Sequence, residues 1–147
     1  MRQQERSLTS FGMTASLLLL CACAQPGVQP QLTAASCTAP LRPALEVKLY
    51  FGRDKPAGGE VSDAEWLAFV DDTVTPRFPA GLSAAHLDGQ YREPSGRIVR
   101  ERGKLLVLIV FDAPAHHAKV SEVVEAYARR FGQYSVLRVE QAVCASV

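Results

Sequence analysis

The sequence lacks a hydrophobic run long enough to cross a membrane. Its most apolar stretch ends in the leucines at 17–20 and is shorter than the roughly 20 residues that a membrane span needs. A phosphate-binding glycine motif is also missing, because Gly58-Gly59 has neither the G-x-G-x-x-G spacing nor a following Lys-Ser/Thr pair. The net charge of +1 argues neither for nor against a polyanionic partner. No motif in the chain therefore specifies a reaction.

The N-terminus has the layout of a secretory signal. Polar residues with two arginines lead into the apolar stretch, and Leu20-Cys21-Ala22-Cys23 is similar to a bacterial lipobox, with a small residue before the cysteine that is acylated. Residues 1–22 are therefore predicted to be a lipoprotein-type signal peptide, with the lipid on Cys23. Cleavage after Ala24 is the alternative, since Ala22-Cys23-Ala24 is also an A-x-A site, and it would give a soluble periplasmic or secreted protein.

A flexible tether is predicted at residues 23–43. This segment is rich in Pro, Gln, Ala and Thr and has no charge until Arg42, so it cannot bury a core. The remaining residues, 44–147, suffice for one domain. The expected location is the periplasmic side of a bacterial membrane, within the cell envelope.

Hydrophobic periodicity in the domain predicts four strands and two helices. The first helix has a capping box of Ser62 and Glu65 and a hydrophobic staple of Val61 and Trp66, and it ends before Pro76. The second helix begins around 112–114 and ends at Gly132. The strands are predicted at 45–51, 82–92, 104–111 and 134–141.

This order, βαββαβ, is typical of an α+β ferredoxin-like fold. Such a fold has a four-stranded antiparallel sheet in the order 4-1-3-2 with two helices on one face. The last strand then lies beside the first, so Cys37 and Cys144 emerge at the same edge of the sheet. If Cys21 leaves with the signal and Cys23 carries the lipid, these are the remaining two of the four cysteines. Because export puts them in an oxidising compartment, a Cys37–Cys144 disulfide is expected.

Three segments of the chain resemble a known bacterial family. They are LYFGRDKPAGGEVSDAEWLAFVDDTVTPRFPAGL, GRIVRERGKLLVLIVF and RRFGQYSVLRVEQAVC. The resemblance is to the domain of unknown function number 3574 and covers roughly Cys37 to Cys144. It implies one exported domain with these borders. No catalytic residue is carried over, because the family has no established activity.

Arginine is concentrated around the predicted hairpin. Arg97, Arg100 and Arg102, together with Arg92 and Lys104, are candidates for contacts with an anionic ligand such as a phosphate or a lipid head group. The alternative is that these charges alternate with Glu93 and Glu101 and only keep the hairpin soluble.

A second candidate set lies near the ends of strands and helices. These residues, which could line one Arg/Glu pocket, are Tyr50, Arg53, Glu60, Arg77 and Arg130. Paired Arg and Glu side chains can bind a carboxylated ligand or act in acid–base chemistry. Residues of this kind more often form salt bridges that fasten loops.

No cofactor or metal site is expected. His116 and His117 are adjacent on a helix and should point in different directions, and Asp112 is the one acidic residue close before them. Nucleic acid is not expected as a partner either, because the central strands offer Tyr50 but otherwise aliphatic residues, where stacking on bases needs aromatic rings.

The uncovered face of the sheet is the expected interaction surface. If the helices cover Val47, Leu49, Leu137 and Val139, the open face shows an apolar strip with a charged rim. The strip comprises Tyr50, Val136 and half of 105–111, and the rim comprises Glu46, Lys48, Arg138 and Glu140. The sequence thus favours a non-catalytic envelope module that forms a homodimer or binds another envelope protein through this face. The alternative is a small dimeric enzyme or small-molecule binder.

Overall fold

A computed structural model describes residues 36–147 of the chain. The predicted signal peptide 1–22, the lipid site Cys23 and residues 23–35 of the predicted tether lie outside this part. Neither helix of the described part has the length and hydropathy to span a lipid bilayer. The elements are β1 (Arg42–Gly52), α1 (Asp63–Phe69) with a π-helical extension (Val70–Val74), β2 (Ser83–Arg92), β3 (Ile98–Val110), α2 (His116–Phe131) and β4 (Leu137–Ala145).

The four strands form one antiparallel sheet in the order β2-β3-β1-β4, which confirms the ferredoxin-like prediction. β1 begins at Arg42, so the last two residues of the predicted tether belong to the sheet. β4 begins three residues later than predicted and extends to Ala145. Alternation along β1 buries Val47, Leu49 and Phe51 on the face that carries both helices.

The predicted start of α1 is confirmed. The Ser62 hydroxyl accepts a hydrogen bond from the Glu65 backbone N–H, and the Glu65 carboxylate accepts one from the Ser62 N–H at 2.8 Å. Both staple residues, Val61 and Trp66, are buried. Lys55 donates a hydrogen bond to Glu65, and together with the capping hydrogen bonds it lowers the pKa of Glu65 to about 2.

α2 packs its apolar stripe on the sheet and ends at a left-handed glycine. Val120, Val123 and Tyr127 are fully buried, and Gly132 has a φ of 69°, a conformation that suits glycine. The Tyr127 hydroxyl passes through the core and donates a hydrogen bond of 2.8 Å to the carbonyl oxygen of Gly52. The helix layer is thereby tied to the end of β1.

The predicted disulfide is confirmed. Cys37 and Cys144 are bonded, with a Cα–Cα distance of 5.6 Å and a sequence separation of 107. The physical reason is the register of β1 and β4, in which Pro43 lies opposite Cys144. The bond therefore joins the segment before the first strand to the end of the last one.

The predicted face of β4 is wrong. Leu49 pairs with Arg138 and Val47 pairs with Glu140, so Arg138 and Glu140 lie on the helix side of the sheet. Leu137 and Val139 lie on the open face instead, where 61% and 41% of their surface is exposed. β4 is an edge strand, and its helix-side charges satisfy each other through an Arg138–Glu140 ion pair, so apolar residues are not needed there.

Three further residues of the predicted open face differ from the prediction. Val136 packs against the core rather than on the open face. Glu46 and Lys48 do lie on the open face, but they form an ion pair of 2.7 Å on β1, a central strand, and are therefore in its middle and not at its rim. The exposed apolar residues of the open face are Tyr91 on β2, Ile109 on β3, Phe111 just after β3, and Leu137 and Val139 on β4.

Candidate functional site

A cleft lies on the open face of the sheet, where the end of β1 meets the β2–β3 hairpin. Its volume is about 580 Å³, within the usual range for small-molecule sites. The floor consists of Gly52, Gly89 and Gly103, one glycine from each strand, and we call it the glycine-floored cleft. The walls include Tyr50, Leu87, Tyr91, Gln133 and Leu137.

Two of the three floor positions need glycine because other atoms lie directly against them. Gly52 pairs with Gly103 across the sheet. A Cβ at Gly103 would lie 3.0 Å from the carbonyl oxygen of Phe51, and a Cβ at Gly52 would overlap the carboxylate of Glu101. A glycine inside a strand often marks a place where a ligand or another chain approaches the backbone.

Glu101 lies half-buried in this cleft, with its carboxylate over Gly52. Within residues 36–147 its carboxylate makes no hydrogen bond or ion pair. Burial, and secondarily the charge of Asp54, raises the pKa of Glu101. Chemically, such a group can bind a cation, accept hydrogen bonds from a ligand, or exchange a proton with it.

The walls of the cleft are largely aromatic and aliphatic. Tyr50 is half-buried, Tyr91 is 54% exposed and Leu137 is 61% exposed. Tyr50 was predicted as a contact residue and does lie in the cleft. Glu101 was missed, because in the sequence it serves only as a counter-charge to the hairpin arginines. The sequence feature that could have indicated the cleft was a pair of glycines, Gly89 within one predicted strand and Gly103 directly before another.

Arg53, Glu60 and Arg102 are brought together, in a network that fastens the loop after β1 to β3. Arg53 is 8% exposed, and its Nε donates a hydrogen bond of 2.7 Å to the carbonyl oxygen of Val61. Glu60 accepts from Arg102 at 2.6 Å, and its carboxylate lies 3.9 Å from Arg53. Asp63 pairs with Lys104 at 2.7 Å and with Arg53 at 3.5 Å.

The hydrogen bond from Lys104 is the largest effect that lowers the pKa of Asp63. The cations of this network already have carboxylate partners, as expected of residues that fasten a loop.

The other predicted contact residues do not join this network. Arg77 pairs with Glu122 at 2.8 Å, and Arg130 pairs with Asp72 at 2.7 Å, on the helix layer. Arg97 pairs with Glu93 at 2.6 Å at the turn of the hairpin. Arg100 makes no bond to the network, although it lines a shallow depression together with Glu60 and Arg102. The predicted Arg/Glu residues thus lie in several places, and an arginine cluster facing solvent is not formed by them.

A second group of titratable side chains lies on the helix side of the sheet. His116, His117 and Glu140 each offer an atom that can bind a metal ion, and these atoms lie within 4.8 Å of one another. Burial, and then the neighbouring His117, lowers the pKa of His116. Asp112, the acidic residue considered from the sequence, pairs with Lys119 instead, at 3.2 Å.

Solved structures with a similar fold include a phage SAM lyase in two states. Its complex with S-methyl-5'-thioadenosine has a TM-score of 0.52 and 18% identity, and the match covers 71% of this chain and 90% of the lyase chain. The apo state has a TM-score of 0.51 and 18% identity, with 76% and 97% covered. CutA from Synechococcus elongatus has a TM-score of 0.43 and 14% identity, with 70% and 80% covered. At these identities the likeness concerns the fold alone.

Sequence comparison leads to a family. No curated protein matches the chain. The model of one family, described as a protein of unknown function, matches residues 46–147, which include nearly the whole sheet, both helices and the cleft. The chain therefore belongs to the DUF3574 family, as its sequence motifs predicted.

Proposed function

We propose that the protein is an exported, lipid-anchored domain that binds a small organic ligand in the glycine-floored cleft. One observation carries the proposal: in a cleft lined by one glycine from each of three strands, the carboxylate of Glu101 lies over Gly52 and has no partner within the described part of the chain. Burying a carboxylate without a partner costs free energy. A protein keeps such a group at a functional site when a ligand supplies the missing partner.

The lining of the cleft indicates the chemistry of the ligand. The Glu101 carboxylate favours a cationic group or a hydrogen-bond donor. Tyr50 and Leu137 favour a flat or apolar portion, and an aromatic ring beside a carboxylate also attracts cations. The ligand class is therefore a compact organic cation, or a neutral donor, that carries an apolar or aromatic part.

Fold likeness suggests one compound for a first screen. The phage SAM lyase of similar fold was solved with S-methyl-5'-thioadenosine, a compound that combines a flat base with an apolar thioether. This shows what that protein binds. For the present domain, it supports including thionucleosides beside aromatic and alkyl ammonium compounds.

The test uses NMR chemical shifts to detect ligand binding to the intact mature chain. A bound compound is expected to shift the amide signals of Gly52, Gly89 and Gly103. Gly89→Leu should abolish binding because it fills the cleft, and a Cβ at this position meets its nearest atom at 3.5 Å, so the fold tolerates it. Ala84→Leu is the matched control, since it adds the same side chain to the opposite face of β2. Equal binding by Gly89→Leu and the native protein would refute the proposal.

Self-association through the open face is a second candidate function. Ile109, Phe111, Leu137 and Val139 are between 39% and 61% exposed on this face; Leu137 lines the cleft, and Ile109 and Phe111 lie toward the other end of the sheet. A second copy of the chain would cover this apolar surface and close the open side of the cleft.

Light scattering of the mature protein tests this candidate. A dimer is expected, and Val139→Arg should convert it to a monomer because the new charge would be buried. Leu67→Arg is the matched control, since Leu67 is equally apolar and 59% exposed but lies on α1. A native monomer, or loss of the dimer in both variants, counts against the open face as the interface.

Export is supported by the N-terminal sequence and by the disulfide, a bond that persists in oxidising compartments, whereas lipid attachment rests on the N-terminal sequence alone. The mass of the N-terminal peptide from membrane fractions tests the lipid. An acylated Cys23 is expected, and Cys23→Ala should release the protein from the membrane. A mature chain that starts at Gln25 would support plain secretion instead.

A further inference from the structure

Two consecutive histidines at the start of α2 face a carboxylate on β4. His116 is fully buried and His117 is largely exposed, while Glu140 lies on the helix side of the neighbouring edge strand. This group lies on the opposite side of the sheet from the glycine-floored cleft. It plays no part in the ligand-binding function proposed above.

His116 has no hydrogen-bond partner within the described residues. Both ring nitrogens are buried and unsatisfied. Nε2 lies 3.4 Å from Oε1 of Glu140, but the two atoms are not aligned for a hydrogen bond. Buried polar atoms are nearly always satisfied, and leaving one unpaired costs about 1–3 kcal/mol. A buried imidazole that faces a carboxylate without a hydrogen bond indicates that another group binds between the two side chains.

The spacing of these atoms suits a metal ion. Zinc binds histidine nitrogen and carboxylate oxygen at about 2.0–2.2 Å, and in a tetrahedral site two such ligand atoms lie roughly 3.3 Å apart. The 3.4 Å between His116 Nε2 and Glu140 Oε1 is close to this value. Nδ1 of His117 lies 4.0 Å from the same oxygen, so a small ring movement brings it into range.

The positions of the two rings contradict the expectation that adjacent histidines on a helix point in different directions. Side chains of neighbouring helix residues diverge by roughly 100° around the axis. Here, however, the two rings have centroids 4.1 Å apart and planes inclined by only 37°, so they converge. The third ligand comes from β4, which is distant in sequence and is placed beside α2 only by the fold.

Arg138 is the cation that now neutralises this group. Its guanidinium contacts Oε1 of Glu140 and lies 2.8 Å from Nδ1 of His117. The side chain is long and 26% exposed, and it lies on an edge strand, so it can move into solvent without disturbing the core. A metal ion and the guanidinium would thus compete for the same two ligand atoms.

We propose that His116, His117 and Glu140 form a zinc-binding site, and that Arg138 takes the place of the ion when zinc is absent. Two imidazoles and one carboxylate are a ligand set that zinc accepts, with a fourth position left for water. The ion would satisfy Nε2 of the buried His116 ring and fasten the first turn of α2 to the edge of the sheet.

The test is zinc binding by the untagged mature chain, measured by competition with a chromophoric chelator. One zinc ion per chain is expected, and cobalt in its place should give visible absorption typical of low coordination with nitrogen and oxygen ligands. His117→Ala and Glu140→Gln should each weaken binding by more than about tenfold, the size of effect that even outer partners of metal ligands have. Arg138→Gln should strengthen binding because it removes the competing cation.

Two controls separate this site from adventitious binding. His86→Ala removes a histidine whose ring lies beside Lys104, far from the group, and should leave the affinity unchanged. Circular dichroism must show that each variant is folded. We substitute His117, because replacing the buried His116 could itself disturb the fold. The proposal is overturned if neither the native chain nor Arg138→Gln binds zinc more tightly than Glu140→Gln does. It is equally overturned if His86→Ala loses as much affinity as His117→Ala.

Discussion

Removing the Cys37–Cys144 disulfide should cost a large part of the stability of the domain. The bond closes a loop with a sequence separation of 107, which is nearly the whole described part of the chain. For a loop of this length the chain-entropy model gives about 4.7 kcal/mol, since the cross-link restricts the unfolded chain. Both cysteines are half-buried, so replacing them with alanine leaves little cavity. The loss should therefore come mainly from the unfolded state.

Urea unfolding of the oxidised native protein and of the double variant Cys37→Ala/Cys144→Ala measures this effect. The free energy of unfolding should fall by about 4–5 kcal/mol. Domains of this size have a total of about 5–15 kcal/mol, so the variant should be marginal at physiological temperature. The urea m-value should rise, because an unfolded chain without the cross-link exposes more surface.

Two results would contradict this reasoning. One is a loss below about 1 kcal/mol, too small for a loop of this length. The other is a loss confined to the end of β4 in hydrogen exchange, while amides in the centre of β3 keep their protection. A change in the unfolded state lowers the global free energy, so the most protected amides must also exchange faster.

Three other predictions concern single side chains. Ser62→Ala removes the hydroxyl that caps α1 and should lower the free energy of unfolding by about 1 kcal/mol in urea titrations, whereas no change would mean that the cap is redundant. Tyr127→Phe removes the hydrogen bond to the Gly52 carbonyl and should cost about 1–2 kcal/mol in the same assay; a neutral result would show that water replaces it. Because burial raises the pKa of Glu101 above its ordinary 4.5, the folded state holds this proton more tightly, and the contribution of Glu101 to the stability falls as the pH rises above 4.5. Glu101→Gln should therefore be more stable than the native protein at pH 7 but not below pH 4.5, and a pH-independent difference would refute the burial of this carboxylate.

Features that depend on residues close together in the sequence were predicted correctly. The start of α1 depends on Ser62 and Glu65, three residues apart, and the structure has the same capping box. The buried residues of β1 follow from its alternation. The order of elements then limited the sheet to a small number of topologies, and the disulfide followed because the start of the first strand lies beside the end of the last.

Features that depend on long-range register were missed. Leu137 and Val139 are apolar and were assigned to the core, but β4 is an edge strand whose inward positions hold an ion pair instead. Glu101 is distant from Gly52 in sequence, and only the pairing of β1 with β3 brings its carboxylate over that glycine. His116 and Glu140 meet in the same way across two elements. No local sequence pattern shows how the strands are paired. A shift of the pairing by one residue would move every side chain of a strand to the opposite face of the sheet.

β1 and β2 are packed to different extents, and this difference determines which part of the cleft can move. β1 is a central strand packed against the helices, whereas β2 is an edge strand in which no residue is fully buried and Leu87 alone is partly covered. The cleft therefore has one rigid wall, which carries Tyr50, and one compliant wall, which carries Leu87 and Tyr91. Bending of the β2–β3 hairpin can widen or narrow the cleft without any rearrangement of the core. The width of the cleft can thus change at little energetic cost, with the adjustment made almost entirely by one strand.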